Sequence, residues 1–228
     1  WVNDTAGFSI SKYTGTGGTS DVTIGHGLSK KPGWVVCKRM DDAGHWEHNQ
    51  YPGTPANKRW NLSQTSVPWT SNNGYIDGSA ATSTTVSFKK GDNVDSMNTS
   101  GAEYIMYCFA EVPGVSCIGK YDIINSNSGT HSGTERPWIP CGFKPQFVLI
   151  RTWDSAANWL LYHKKNQAHD VNVLLPAGNG HSTWGQRSLQ LTSFGFRPAY
   201  NQGDHSYGGW GYQYFALAEN PFKTARGS

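Results

Sequence analysis

The stretch KPGWVVCKRMDDAGHW at residues 31–46 returns without a gap as KPQFVLIRTWDSAANW at residues 144–159, and subtracting 31 from 144 gives an offset of 113. Each copy opens on a lysine and a proline followed by a run of β-branched and aromatic residues, which favours a short strand over a helix. The polar centre of each copy carries an aspartate, Asp41 or Asp154, and is typical of a hairpin turn. The stretch therefore predicts the same β-hairpin twice.

A second block repeats at a different offset. Residues 88–113 align with residues 196–221, and subtracting 88 from 196 gives 108. Each copy contains a nearly continuous apolar run that ends at a glutamate, YIMYCFAE at 104–111 and YQYFALAE at 212–219, with a proline two residues later. Two blocks repeating in the same order indicate a tandem duplication of the whole chain.

The two repeats, residues 1–113 and 114–228, are each predicted to be a β domain. The chain of 228 residues contains 10 Trp, 11 Tyr and 9 Phe and only 15% charged residues, so aromatic side chains must supply much of the buried area. About seven short β-rich segments per repeat are bounded by Gly, Asn, Asp or Pro. This pattern predicts an all-β fold of two tandem, jelly-roll-like β-sandwiches. One larger sandwich built from strands of both repeats is the alternative.

Charge and hydropathy exclude two classes of partner. The net charge of +3 is spread along the chain without a basic tract, which argues against nucleic-acid binding. No apolar run approaches the ~20 residues that a membrane span requires, so no membrane partner is expected. The chain opens at Trp1 without a signal-like segment, and we expect it to be processed or to be part of a longer protein.

The four cysteines are predicted to be free thiols. Cys37, Cys108, Cys117 and Cys141 align with Ile150, Ala216, Ser9 and His26 of the other repeat. A disulfide essential to the fold would be expected in both copies, and no cysteine recurs. Free thiols in buried strands indicate folding in a reducing cytoplasm.

Metal and cofactor sites are not expected. His45 and His48 lie three residues apart, and a strand would direct them to opposite faces. The chain also lacks zinc-binding, nucleophile-elbow and phosphate-loop motifs. We therefore predict surface histidines on a hairpin, with no metal ion and no cofactor.

Recurring carboxylates raise the possibility of glycoside hydrolysis, which requires two carboxylates in dissimilar environments. Asp41 and Asp154 recur, as do Glu111 and Glu219, but symmetric copies do not meet that requirement. We predict that the aspartates bond backbone amides in hairpin turns. We predict that the glutamates pair with a recurring cation, Lys38 in one copy and Arg151 in the other. On this interpretation the chain is not an enzyme.

Tryptophans divide into recurring and unmatched sets. Trp46 and Trp159 recur and are expected in core or hairpin packing. The unmatched set can serve the surface of one copy and comprises Trp60, Trp138, Trp153 and Trp210. A cluster of exposed members of this set would favour receptor binding, whereas burial of all would favour a structural role.

A glycine-rich segment near the C-terminus, DHSYGGWGYQY at residues 204–214, is the predicted ligand site. Its aromatic rings can stack on a sugar face while polar neighbours bond the hydroxyls. The candidate ligand-binding residues are Asp204, His205, Tyr207, Trp210 and Tyr212. The alternative is that these aromatics fill the sandwich or a subunit interface.

Several motifs also carry a resemblance to a known group of proteins. In chain order they are GFSISKYTGTG (7–17), IGHGLSKKPGWVVCKR (24–39), YCFAEVPG (107–114), CIGKY (117–121), CGFKPQFVLIRTWDSAANW (141–159) and FALAENPF (215–222). Together they resemble a duplicated β domain of structural proteins of tailed bacteriophages, such as tail fibres and other virion surface proteins. The resemblance implies a virion protein, assembled in the host cytoplasm and exposed extracellularly, and it supplies no catalytic residues.

These observations predict a phage tail-fibre or surface domain that recognises a bacterial surface glycan or protein. The resemblance implies a homo-oligomer, a trimer as in many phage fibres, in contact with other virion proteins. A capsid-decoration or fibre-building protein without receptor binding is the first alternative. A glycan depolymerase is the second, and Glu111→Gln would abolish its activity.

Overall fold

The apolar segments of the sequence form antiparallel β-strands throughout the computed structural model. It describes residues 1–18, 20–54, 58–64, 66–70, 73–91, 97–123, 136–157, 159–163, 189–198 and 208–221. All regular secondary structure in these ranges is β, which confirms the predicted fold class. Within the same ranges no helix is long and apolar enough to cross a lipid bilayer.

The chain divides into two compact units. Unit 1 comprises Trp1–Gln64 and Pro68–Val112, and unit 2 comprises Pro113–Ser228 with Thr65–Val67. The main boundary thus falls between Val112 and Pro113, one residue before the expected boundary.

The described residues of unit 1 form two antiparallel sheets. Its strands are β1 (Val2–Asn3), β2 (Phe8–Thr14), β3 (Val22–Gly25), β4 (Pro32–Arg39), β5 (Trp46–Gln50), β6 (Lys58–Asn61), β7 (Trp69–Thr70), β8 (Asn73–Asp77), β9 (Thr85–Gly91) and β10 (Glu103–Ala110). One sheet has the order β1-β2-β10-β4-β5-β6-β7 and the other β3-β9-β8. Alternate residues of β10, including Tyr104 and Met106, share a core with Val86 and Phe88 of β9. The two sheets therefore enclose one core, as in a sandwich.

The described residues of unit 2 form seven strands in the same arrangement. They are β11 (Ser116–Asp122), β12 (Ile139–Pro140), β13 (Pro145–Thr152), β14 (Leu160–His163), β15 (Leu189–Leu191), β16 (Gly195–Pro198) and β17 (Gly211–Ala218). The sheets have the orders β11-β17-β13-β14 and β12-β16-β15. Val148 and Ile150 of β13 pack with Phe196 of β16 in a common core.

The pairing of the central strands is the same in both units. Tyr104 of β10 lies opposite Tyr13, and Tyr212 of β17 lies opposite Tyr121. The paired rings stack with centroids 5.0 Å apart in unit 1 and 5.1 Å apart in unit 2. Both central strands also show a register shift where they meet the proline that opens the neighbouring strand. The sequence offsets of 108 and 113 thus correspond to equivalent positions in the two sheets.

The alignment of the second block is wrong at its start, where the structure gives an offset of 110. Thr82 Oγ1 accepts hydrogen bonds from the amides of Thr84 and Thr85 at 3.2 and 3.0 Å. Thr192 Oγ1 accepts them from Phe194 and Gly195 at 3.3 and 3.1 Å. Because 192 minus 82 is 110, Phe196 is the counterpart of Val86, and the match of Phe88 with Phe196 is corrected.

The cysteine prediction is confirmed, since all four thiols are free. Cys37 and Cys108 face the core of unit 1, and Cys117 is buried in unit 2. Burial raises the pKa of the Cys37 and Cys108 thiols to about 12. These thiols therefore act as small apolar side chains rather than as nucleophiles.

Candidate functional site

The predicted ligand site is only partly described by the structure. Asp204, His205 and Tyr207 lie outside the described residues. Tyr212 has 0% of its surface exposed and stacks on Tyr121 in the core of unit 2. A ring enclosed in this way cannot stack on a ligand, so the prediction for Tyr212 is corrected. Trp210 is half-buried against the same core, and its carbonyl accepts a hydrogen bond from the Ile123 amide at 3.0 Å.

The unmatched tryptophans do not share one environment. Trp60 is fully buried, whereas Trp138 is 53% exposed with the Arg197 guanidinium 5.2 Å from its ring centroid. Trp153 and Trp210 are half-buried. Neither outcome posed by the sequence, a cluster of exposed rings or burial of all, is met by these four residues.

The predicted pairing of the recurring glutamates with Lys38 and Arg151 is wrong. Lys38 lies opposite Ile105 of β10, six residues before Glu111, which directly follows the strand; at ~3.3 Å per residue the two are about 20 Å apart. The Lys38 ammonium instead donates to the backbone carbonyls of Arg39 and Asp42. Glu219 forms its ion pair with Lys144, at 3.1 Å. The physical reason is the register of the two strands. Lys144 precedes Pro145 at the start of β13 and lies beside the end of β17, whereas Arg151 lies opposite Gln213, six residues before Glu219.

The recurring aspartates occupy the two hairpin turns, as predicted, but their bonds differ. Asp41 forms an ion pair with Arg39 at 2.7 Å. Asp154 accepts a hydrogen bond from the Gly211 amide at 2.5 Å. The carboxylates therefore stabilise different parts of their units, and only their position in the turn is shared.

A pocket that the sequence did not indicate lies in unit 1, between the end of β5 and the end of β8. We call it the Asn49 pocket; it has a volume of about 30 Å³ and is lined by Asn49, Tyr51, Thr54, Tyr75, Ile76, Asp77, Gly78 and Ser79. The pocket joins strands of both sheets, because β5 belongs to the large sheet and β8 to the small one.

Asn49 provides the most unusual group of this pocket. It lies opposite Val35, whose side chain is in the core, so the amide also points inward. Asn49 is only 5% exposed, and its Oδ1 has no hydrogen-bond partner among the described residues. In unit 2 the same register places Tyr162 opposite Val148. At this position unit 1 therefore has an amide and unit 2 has an aromatic ring. The unpaired Oδ1 lowers the free energy of unfolding by about 1–3 kcal/mol.

Gly78 keeps the base of the pocket open. A Cβ at this position would overlap Asn49 Oδ1 and would lie 3.0 Å from the Cβ of Tyr51. Any larger residue would therefore displace the amide or fill the space in front of it.

Asp77 holds the turn that forms one wall. Its Oδ1 accepts hydrogen bonds from the Ser79 and Ala80 amides at 3.0 and 3.1 Å and from the Ser79 hydroxyl at 2.5 Å. Lys89 Nζ lies 4.0 Å from the other oxygen and 2.9 Å from Asp21. The Asp77 charge is therefore used within the protein, and the residue acts as a fixed part of the wall.

Two tyrosines supply the aromatic walls. Tyr51 is 43% exposed, and its amide donates to the Gly33 carbonyl at 2.7 Å, which fixes the start of its loop. The loop closes where the Thr54 amide donates to the Gln50 carbonyl at 2.7 Å and the Gln50 amide donates to Thr54 Oγ1 at 3.1 Å. Burial and the Asp77 carboxylate raise the pKa of Tyr75, so its phenol remains a hydrogen-bond donor at neutral pH.

Lys31 lies at the edge of the pocket. Its Nζ lies 4.6 Å from the centroid of the Tyr51 ring and donates to the Ser79 carbonyl at 2.9 Å. The arrangement thus combines aromatic faces, a buried amide and an ammonium group around a small recess. Such a combination binds polar organic groups that also have an apolar face.

The remaining histidine and metal predictions concern other parts of unit 1. His45 is exposed and bonds Ser63 and Gln64, as predicted for a surface histidine. The prediction for His48 is wrong, because both faces of β5 are covered at this position and the ring is buried. Its Nδ1 accepts a hydrogen bond from Trp34 at 3.3 Å. Across the described ranges, no group of three or more His, Cys, Asp or Glu side chains is placed to hold a metal ion.

Comparison of the chain with curated proteins and with solved structures gives no match. A family model, in contrast, matches residues 1–221, a range that includes strands of both units. The chain belongs to the family described as "Domain of unknown function (DUF7483)".

Proposed function

We propose that this chain is a surface-recognition protein of a phage virion and that the Asn49 pocket of unit 1 binds a saccharide of the bacterial surface. The single observation that carries the proposal is the buried Oδ1 of Asn49, which has no hydrogen-bond partner among the described residues and lies in a pocket lined by two tyrosines. The virion location rests on the motif resemblance alone, and so does the expected trimer.

The Oδ1 of Asn49 forms no hydrogen bond with the described residues that would stabilise the fold, and it is available to a ligand. An unpaired buried acceptor destabilises the folded state, whereas a ligand hydroxyl that reaches it restores the missing bond. Tyr51 offers an exposed ring close to this acceptor, and sugar rings present C–H faces that pack on aromatic side chains beside hydroxyls that hydrogen-bond. A saccharide meets both demands.

The size of the pocket defines how a saccharide would sit. A volume of about 30 Å³ holds roughly two water-sized groups, well below the ~300–1,000 Å³ of a pocket that encloses a small molecule. A sugar ring would therefore lie over Tyr51 and insert one substituent, such as a hydroxymethyl or an acetyl group, toward Asn49. Such a shallow site gains strength from repetition, and several copies in one oligomer would provide it by multivalency.

The proposal is tested by binding of the full chain to an array of bacterial capsular and O-antigen polysaccharides. Tyr51→Ala and Asn49→Val are expected to weaken binding to the retained polysaccharides by about tenfold, through loss of stacking and of one hydrogen bond. Trp138→Ala removes an aromatic residue of comparable exposure from unit 2 and is the matched control. Binding to none of the polysaccharides, or binding that both pocket variants retain in full, would contradict the proposal.

A further inference from the structure

Lys31 carries a charge that no carboxylate of the described residues neutralises. Its Nζ donates to a backbone carbonyl, that of Ser79, and faces the ring of Tyr51. A lysine ammonium has three N–H donors, so two remain for other partners. Both neighbours of Lys31 line the Asn49 pocket, and the charge therefore lies at its rim.

The equivalent lysine of unit 2 is used differently. Lys144 is the counterpart of Lys31 at the offset of 113, and it forms an ion pair with Glu219 at 3.1 Å. Glu111 is the counterpart of Glu219 at the offset of 108, but it is exposed and forms no ion pair within the described part of the chain. The carboxylate is thus present in unit 1, and the lysine nevertheless faces the pocket.

The other charges near the pocket do not cancel this ammonium. Asp77 contributes the carboxylate of the lining, and it accepts hydrogen bonds from two amides and one hydroxyl. Lys89 approaches Asp77 at 4.0 Å from the side of β9. Asp77 is therefore compensated by its own neighbours, and an incoming anion would meet Lys31 first.

We infer that the Asn49 pocket, taken as the saccharide site proposed above, selects an acidic saccharide and that Lys31 determines this specificity by pairing with its anionic group. The anionic group is a carboxylate or a phosphate on the sugar. The ring lies over Tyr51, and the charge of the sugar points toward Lys31 Nζ. Charge-assisted hydrogen bonds of this kind are about twice as strong as neutral ones.

The test compares acidic bacterial polysaccharides with the same polymers after their charge has been removed. Carboxyl reduction with carbodiimide and borohydride converts uronic acids to neutral sugars, and hydrogen fluoride removes phosphates. We expect one of the two treatments to lower affinity at least about tenfold and thereby to identify the anion. Lys31→Met should cause a similar loss, and Lys31→Arg should retain most of the binding. Lys144→Met, which changes the equivalent lysine of unit 2, is the matched control and should bind as the parent does.

The outcomes separate this inference from the proposed function. If untreated and neutralised polymers bind equally, and Lys31→Met binds as the parent does while Asn49→Val does not, the specificity inference is overturned and the saccharide site stands. If no polysaccharide binds at all, the proposed function fails and the inference fails with it.

Discussion

At the scale of single residues, two buried asparagines of unit 1 differ in a way that separates a functional group from a structural one. Asn98 Oδ1 accepts a hydrogen bond from the Thr16 amide at 2.9 Å, and its Nδ2 donates to the Gly17 carbonyl at 3.3 Å. Asn49 Oδ1 has no such partner. The Asn98 amide therefore stabilises the fold, whereas the Oδ1 of Asn49 does not.

Asn49→Val is expected to leave the free energy of unfolding unchanged or to raise it by about 1–3 kcal/mol, because it replaces an unpaired buried acceptor by an apolar side chain next to Val35. Asn98→Val is the matched control and is expected to lower it by a similar amount, since it leaves the Thr16 amide without its acceptor. Urea unfolding of the three proteins measures both changes. Destabilisation by Asn49→Val as large as that by Asn98→Val would show that Asn49 serves the fold.

His26 is a second residue whose environment has a measurable consequence. Its Nδ1 accepts a hydrogen bond from the Leu28 amide at 3.1 Å, and its Nε2 lies 3.3 Å from the Thr82 carbonyl, to which it donates. Only the neutral ring with its proton on Nε2 satisfies both. Burial lowers the pKa of His26 below its ordinary value of 6.5, although the Thr82 carbonyl and the Asp4 carboxylate act in the opposite direction.

The sign of the pH dependence follows from this lowered pKa. Between pH 6.5 and the lower pKa of the folded protein, the unfolded chain binds more protons at His26, so stability is full above pH 6.5 and is lost as the pH falls below it. The urea midpoint of unit 1 should therefore decrease from pH 7.5 to pH 5.5. His26→Cys introduces the residue that unit 2 has at this place, Cys141, and should show a smaller decrease. Equal decreases in the two proteins would exclude His26 as a cause.

At the scale of elements, the sequence predicted the strands better than it predicted the contacts between them. The hairpins β4–β5 and β13–β14 and the central strands β10 and β17 follow from their apolar runs and turn residues. The ion-pair partner of Glu219 could not be predicted. An alignment of the two repeats shows which residues recur, but it does not show which residues of neighbouring strands lie opposite one another. The match of Phe88 with Phe196 was wrong for a related reason. It rested on the identity of the two aromatic residues, whereas the turns at Thr82 and Thr192 determine which positions are equivalent.

The Asn49 pocket was missed because its residues come from separate elements. Asn49 is the last but one residue of β5, Tyr51 begins a loop, and Tyr75 and Asp77 belong to β8. No local motif connects them. One signal was present in the sequence, because Asn49 is polar where the other repeat has Tyr162. Its meaning depends on knowing that this position points inward, which requires the inward and outward alternation of the strand.

At the scale of the whole molecule, the two units use one strand arrangement for different purposes. Equivalent positions hold Asn49 and Tyr162, Lys31 and Lys144, and His26 and Cys141, and in each pair the side chain or its contacts differ. Two sandwiches with the same strand order allow this, because the central strands that stabilise each unit are separate from the strand ends and loops that line the pocket. The unit with the unpaired amide is the one to which we assign recognition.

The thiols provide a prediction for the intact chain. All four are free, Cys141 is half-buried and the other three are buried. With a pKa of about 12, Cys37 and Cys108 have a thiolate fraction of about one in ten thousand at pH 8, and their sulfur atoms are also shielded from reagents. The native protein should therefore react rapidly with a disulfide reagent such as DTNB at Cys141 alone, and all four thiols should react in urea. Stability should also be the same with and without a reductant, because no disulfide contributes to it. Rapid modification of Cys37 or Cys108 in the native chain, located by mass spectrometry, would contradict the packing of the unit 1 core.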